Sequence, residues 1–161
     1  MASDWINKAA HIDTTILNFL DGGSVVYTSE ASLEKYASRN GELLYRLNKG
    51  SSEDVDQAVK SARQSFEFGA WSKCSILSRK RVLYTLADLI ESHAEELALL
   101  ECMDVGKPIS AALSVDIPMA AGLIRYCAEV ADKVYGSSYM SAGASMSYEL
   151  RRPAGVVGAI V

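Results

Sequence analysis

The chain has 161 residues, 49% of them hydrophobic and 22% charged, with a formal net charge of −4 and a pI of about 5.2. That length suits one domain with a real core, and that apolar share argues against a disordered chain. The acidic balance leaves no basic stripe to neutralise phosphates, so nucleic acid is not expected as a partner.

No apolar run reads as long enough to span a bilayer, so no membrane partner is expected either. The amino terminus (MASDWINK) lacks a charged segment followed by an apolar one, and no secretory signal is read there. Cys74, Cys102 and Cys127 are odd in number, widely spaced and without a CxxC pair. They suit reduced thiols in a cytoplasmic setting better than a disulfide framework. His11 and His93 are the only imidazoles and form no ligand-spaced cluster, so a zinc site is not expected.

The chain shows no internal repeat and no low-complexity tract. A short helix is expected in the first dozen residues, where Trp5, Ile6 and Ala9 share a helical face. Residues 17–27 hold two apolar runs around Asp21-Gly22-Gly23, a hairpin signal because glycine accepts positive φ. Residues 42–48, set between Gly41 and Gly50, predict a strand. Ser51 suits an N-cap, with Glu53 and Asp54 in the first turn, where carboxylates favour the helix dipole. Val55, Ala58, Val59, Ala62 and Phe66 then form one stripe.

A second helix in this stretch sets Leu77, Val82, Leu83, Leu86, Ala87 and Ile90 on one side and leaves Arg79, Lys80, Asp88 and Glu91 mostly on the other. A third, from about His93 to Met103, should stop at Gly106 with Pro108 beyond. A long fourth is expected from near Ser110 to near Tyr135, with Val115, Met119, Leu123, Tyr126 and Val130 as its stripe. Pro118 within it implies a kink, or a helix start near Asp116. Residues 135–153 are small, polar and aromatic and read as two strands around Gly143. Residues 155–161 (GVVGAIV) are wholly apolar, as in a strand buried on both faces of a covered parallel sheet. Such a strand needs neighbours on both edges, and the sequence stops inside it; the expectation is a fragment of a larger fold.

Several blocks stand in the order in which the aldehyde dehydrogenase superfamily carries similar ones. They are Gly41-Glu42 with residues 50–59 (GSSEDVDQAV); Ala70-Trp71-Ser72 with Arg79, Arg81, Leu83 and residues 86–90 (LADLI); residues 95–108 (EELALLECMDVGKP); and residues 151–161 (RRPAGVVGAIV). The chain resembles that family over about residues 16–161, and collinear agreement of several motifs is far more specific than any one of them. Within it, residues 86–108, Asp116-Ile117-Pro118 and residues 132–136 (DKVYG) look most like the gamma-glutamyl-gamma-aminobutyraldehyde dehydrogenases of putrescine breakdown.

The resemblance implies an α/β fold of which this chain is an incomplete part. Residues 1–136 would be the helix-rich N-terminal part of a Rossmann-like coenzyme-binding domain. Residues 137–152 would be a β-hairpin that bridges subunits, and residues 153–161 the truncated first strand of the Rossmann-like sheet. It also implies NAD or NADP as cofactor of the full-length enzyme, with none bound by the fragment, a small aldehyde substrate and a homo-oligomer. The family's nucleophilic cysteine, glutamate base and oxyanion asparagine are implied to lie past residue 161, as are its lysine, glutamate and glycine-rich turn for the coenzyme. The chemistry needs a thiolate, donors to the oxyanion, a hydride acceptor and a base for water. No catalytic residue is expected in this chain.

Cys102 and Cys127 fall on helix stripes and Cys74 in a polar connector; none has the Gly-Gln context of the family nucleophile, so they read as inert thiols. Asp104 matches an aspartate that helps bind a monovalent cation in several family members. Taken alone it is a helix-end aspartate bonding nearby backbone N–H groups. The family's usual partner segment, Asn-Pro, is Ala37-Ser38 here, and a hard cation needs several converging oxygens, which favours the second reading.

Met119 matches a substrate-tunnel position or is ordinary core filling, and Asp116 matches an acidic position that receives an amino group or is a helix N-cap. Ile160 and Val161 match backbone positions beside the adenosine half of the cofactor, contacts by shape alone. Residues 155–158 (GVVG) lack the GxGxxG spacing of a dinucleotide fingerprint. Lys107 reads as an answer to a helix C-terminal dipole, and Arg151 and Arg152 as hairpin or interface charges.

Beside the bland reading of a soluble α+β domain with no activity, two functions compete. One is an inactive fragment of an enzyme oxidising an amino-aldehyde in putrescine or polyamine catabolism. The other is a free-standing helical binding module without catalysis, which should close its own core. The residues that choose NAD over NADP are implied to lie outside this chain.

Overall fold

A computed structural model describes residues 2–25, 31–143 and 145–160. Helix α1 (Ala2–Ala9) has Asp4 in its first turn and Lys8 in its last, the charge order that a helix dipole favours. Strands β1 (Asn18–Leu20) and β2 (Gly23–Val25) pair antiparallel. Asp21 (φ 52°) and Gly22 (φ 81°) form the two-residue turn, both in the left-handed region that matches strand twist. Val26 and Tyr27 of the expected second run lie outside the described residues.

Strand β3 (Ser32–Tyr36) pairs antiparallel with β4 (Leu43–Asn48). Only β4 is anticipated by the sequence. Residues 32–36 read SLEKY, too polar and too short to signal a strand until a partner supplies the ladder.

Helix α2 (Ser52–Phe68) starts at a capping box. The Ser51 hydroxyl accepts the Asp54 N–H, and the Asp54 carboxylate accepts the Ser51 N–H. Its expected stripe is uncovered: Val55 and Val59 are exposed, Ala58 and Phe66 half-buried. A short α3 (Ala70–Lys73) leads into α4 (Ile76–Ser92), which Ser75 caps by accepting the Ser78 N–H. The buried side of α4 is narrower than the apolar stripe, with Ala87 buried and Leu83 and Ile90 half-buried, while Leu77, Val82 and Leu86 face out. Arg79 and Lys80, expected on the outer side, are half-buried instead. Arg79 lies over Trp71 and donates to the Ser72 carbonyl, and Lys80 reaches Asp132. Long cationic side chains can lay their stems along a packed surface in this way.

Helix α5 (Ala94–Val105) ends as expected at Gly106, whose φ of 78° places it in the left-handed region, with its N–H on the Cys102 carbonyl. A Cβ there would stand 3.1 Å from Ser38 Cβ, so crowding adds to the backbone strain. Gly106→Ala is expected to cost about 1–2 kcal/mol, the left-handed penalty of an L-residue. Urea denaturation measures it; an unchanged midpoint would refute this role for the glycine.

From Ile109 to Val130 the chain is one helical stretch, made of α6 (Ile109–Ala111), a π turn (Ala112–Asp116) and α7 (Ile117–Val130). Pro118 does not end it: the proline stands in the first turn of α7, which starts at Ile117 with Asp116 at the N-cap position, the second of the two expected outcomes. A proline ring would meet the carbonyl four residues back in a regular helix, and here that carbonyl belongs to the wider π turn. The inward face carries Ala112, Ile117, Ala121 and Ala128. The expected stripe points the other way, with Met119 65% and Leu123 61% exposed. Small alanines let this helix approach α4 and α5 closely, and Ala98, Ala112 and Ile117 form the buried cluster. Arg125 clamps α7 to α4, forking onto Glu91 and also reaching Asp88 at 2.7 Å.

At 22 residues and a mean hydropathy of 1.2, Ile109–Val130 is long and apolar enough to cross a membrane by length and composition, which corrects the sequence reading. It nevertheless carries Asp116 and Arg125, each ion-paired to another segment of this fold, and it packs along α4.

Beyond α7, Asp132 takes the ammonium groups of Lys80 at 2.8 Å and Lys133 at 3.1 Å, which pull its carboxyl down to about 2. The folded value is depressed, so the stabilisation is present above the ordinary value of 3.8 and is lost as pH falls through about 2. Asp132→Asn should therefore melt below the wild type at neutral pH, with the gap closing on acidification; a gap that ignores pH would refute the pairing.

Strands β5 (Ser138–Met140) and β6 (Met146–Tyr148) form the expected antiparallel hairpin, with Gly143 at φ 110° in the turn. Among the described residues, 156–160 form no strand, contrary to expectation. The physical reason is that a strand exists only by pairing, and none of the three described two-stranded sheets pairs with this run.

Candidate functional site

Lys35 and Tyr45 stand opposite each other in the β3–β4 ladder, so both side chains leave the same face. They converge on Asp104 near the end of α5. The Tyr45 hydroxyl donates to Oδ1 at 2.7 Å and Lys35 Nζ lies 3.2 Å from the same oxygen. The Tyr45 bond, with Lys35 second, holds the Asp104 carboxyl below its ordinary value. Ser38 donates to the Asp104 backbone carbonyl at 3.2 Å, so residues 37–38 do reach the chain at this aspartate. Tyr45 and Lys35 were not singled out from the sequence; recognising β3 and its register would have found them. Among the described residues, no group of three or more His, Cys, Asp and Glu side chains gathers as a metal site.

Asp116 lies at the junction of the π turn and α7, with helical backbone angles and no capping bond from its side chain. Its carboxylate instead meets Lys107, 2.7 Å from Oδ1 and 2.5 Å from Oδ2. Lys107 is thus engaged by a specific anion, beyond the general dipole of the α5 terminus. Three residues further on, Met119 is on the open face of the helix.

Cys102 is half-buried on α5, and burial pushes its thiol up, away from the thiolate that a nucleophile requires. Cys74 donates its S–H to the Trp71 carbonyl at the end of α3, and Cys127 is exposed on α7, not covered as its place on an apolar stripe suggested. Ile160 stands fully exposed in irregular chain, and Val161 lies outside the described residues. Residues 155–158 form no helix-opening glycine turn. Arg151 donates to the Tyr135 carbonyl and pairs with Glu149, bracing the base of the hairpin.

These helices and paired two-stranded sheets are part of an α/β enzyme architecture, as comparison with known proteins shows. The sequence pattern of the aldehyde dehydrogenase family matches residues 26–161. The chain is 39% identical over 160 residues to the mitochondrial aldehyde dehydrogenase family 2 member B4 of Arabidopsis thaliana, covering 99% of this chain and 30% of that protein. It is 41% identical over 157 residues to the NADP/NAD-dependent aldehyde dehydrogenase PuuC of Escherichia coli (strain K12), covering 98% and 32%. The solved gamma-glutamyl-gamma-aminobutyraldehyde dehydrogenase of Burkholderia cenocepacia J2315 superposes with a TM-score of 0.81 at 34% identity, over 87% of this chain and 28% of that one. The chain belongs to the aldehyde dehydrogenase family, and it spans about 30% of the length of these relatives.

Proposed function

We propose that these residues are the amino-terminal part of an NAD(P)-dependent aldehyde dehydrogenase, and that they oxidise no aldehyde alone. The observation that carries this is the collinear match. Two relatives cover nearly all of this chain, yet the chain covers only about a third of each. In this reading residues 1–136 belong to the coenzyme-binding domain, 137–152 to a hairpin between subunits of a homo-oligomer, and 153–161 to a strand that forms once its neighbours are present. Met119 and Asp116 line the substrate tunnel, Ile160 and Val161 lie beside the adenosine half of the cofactor, and Asp104 is a candidate ligand of a monovalent cation. The nucleophile, base and oxyanion donor come from further sequence.

The substrate in this proposal is a small amino-aldehyde, oxidised to the carboxylate in putrescine or polyamine catabolism. Support comes from the similarity to PuuC and to the Burkholderia enzyme, although a plant mitochondrial relative is almost as similar. The three cysteines are free thiols, which supports a reducing compartment, here the cytoplasm.

Purified chain mixed with gamma-aminobutyraldehyde or propanal and NAD or NADP should give no reduced coenzyme. Turnover that survives purification and disappears in Cys74→Ala, Cys102→Ala or Cys127→Ala would overturn the proposal. The coding sequence beyond codon 161 gives a second test: Pro-Trp-Asn is expected, and a stop codon there would favour the free-standing module.

A further inference from the structure

Asp116 stands with Met119 in the proposed tunnel wall, and its geometry constrains what it can bind. Lys107 Nζ stands in hydrogen-bond geometry 2.7 Å from Oδ1. Oδ2 is buried and receives no hydrogen bond; Lys107, 2.5 Å away, answers it by charge. Neither carboxylate oxygen is left both accessible and unpaired, as an ammonium ligand would require. The cation itself is held by a stiff backbone, between left-handed Gly106 and Pro108 at φ −61°.

The ion pair also closes one end of the π turn. Ala112 at the start of that turn and Ile117 just after it are anchored in the buried cluster with Ala98. Such turns are rare and occur mostly as single turns inside α-helices. Changing the turn back to regular helix would rotate every later residue about the helix axis, Met119 included.

We infer that Lys107 and Asp116 are positioning residues whose ion pair locks the π turn and thereby sets the direction of Met119, and that Asp116 receives no substrate amino group. At this stretch the tunnel wall then meets the aldehyde through the apolar side chain of Met119. This rests on the proposal that Met119 lines the tunnel.

The test uses the 161-residue chain with carbon-13-labelled methionine methyls, whose signals are readable even in large assemblies. Lys107→Gln and Asp116→Asn should each shift the Met119 signal, and the double variant should add no further shift. Lys107→Arg should restore the wild-type position, while Met140 and Met146 on the hairpin stay put throughout. A Met119 signal unmoved in both single variants overturns the positioning role. Propylammonium titrated into the wild type, against propanol as control, should leave the Met119 signal unmoved. A saturable shift with propylammonium and none with propanol overturns the claim about the amino group, and this arm needs no variant. Failure of the tunnel proposal looks different: Met119→Ala in a full-length enzyme would leave KM unchanged for every aldehyde, with the ion-pair results still standing.

Discussion

Leucine in place of Ala98 is expected to cost this chain about 2–3 kcal/mol and to lower its thermal midpoint by roughly 5–10 °C. Ala98 is fully buried on α5 and packs in the cluster with Ala112 of the π turn and Ile117 of α7. The closeness of those helices depends on methyl groups, and three more carbons have no space unless a helix moves. The loss is large because the buried set is small: among the described residues, Leu99 and Ile117 are the only large side chains in the buried hydrophobic set. Domains of this size hold roughly 5–15 kcal/mol in total, and one with so thin a core belongs near the lower bound. Ala120→Leu, on the exposed side of α7, is the matched control and should stay within about 0.5 kcal/mol. Circular dichroism melts of both variants decide it; equal effects would mean that the α5–α7 contact is not the core.

The isolated chain is also expected to self-associate at micromolar concentration. Leu77 and Val82 on α4, and Val115, Met119, Leu123 and Tyr126 along the Ile109–Val130 stretch, are each more than half exposed. Monomers seldom leave so many large apolar groups uncovered, and water favours any contact that hides them. The β5–β6 hairpin adds a second cause, because a lone two-stranded ribbon is marginal in water and its Tyr139, Met140, Met146 and Tyr148 are exposed. Sedimentation or light scattering should show species larger than a monomer, and Leu86→Glu with Leu123→Glu should shrink them. A concentration-independent monomer with one sharp cooperative melt would sink the idea and favour the module.

Local signals were legible where physics is local. The Asp21-Gly22 turn, the Ser51 cap, the Gly106 stop and the hairpin around Gly143 each follow from the conformational freedom or the hydrogen bonding of a few adjacent residues. Family membership was legible too, because it rests on blocks in order, which need no contact to be read. Which face of a helix turns inward was legible only in part. On α4 the buried Ala87 lies within the expected stripe, whereas on α7 the widest apolar stripe is the obvious guess for the core, yet the buried face is lined by Ala121 and Ala128. A stripe says that a face is apolar, whereas the partner that comes closest decides which face is covered, and small side chains permit the closest approach. Likewise Lys35 and Tyr45 reach Asp104 only because a strand too polar to announce itself finds its register on β4, and Lys107 reaches Asp116 only through the π turn. Those contacts join residues far apart in the chain or across an irregular turn, and only the assembled fold fixes such distances.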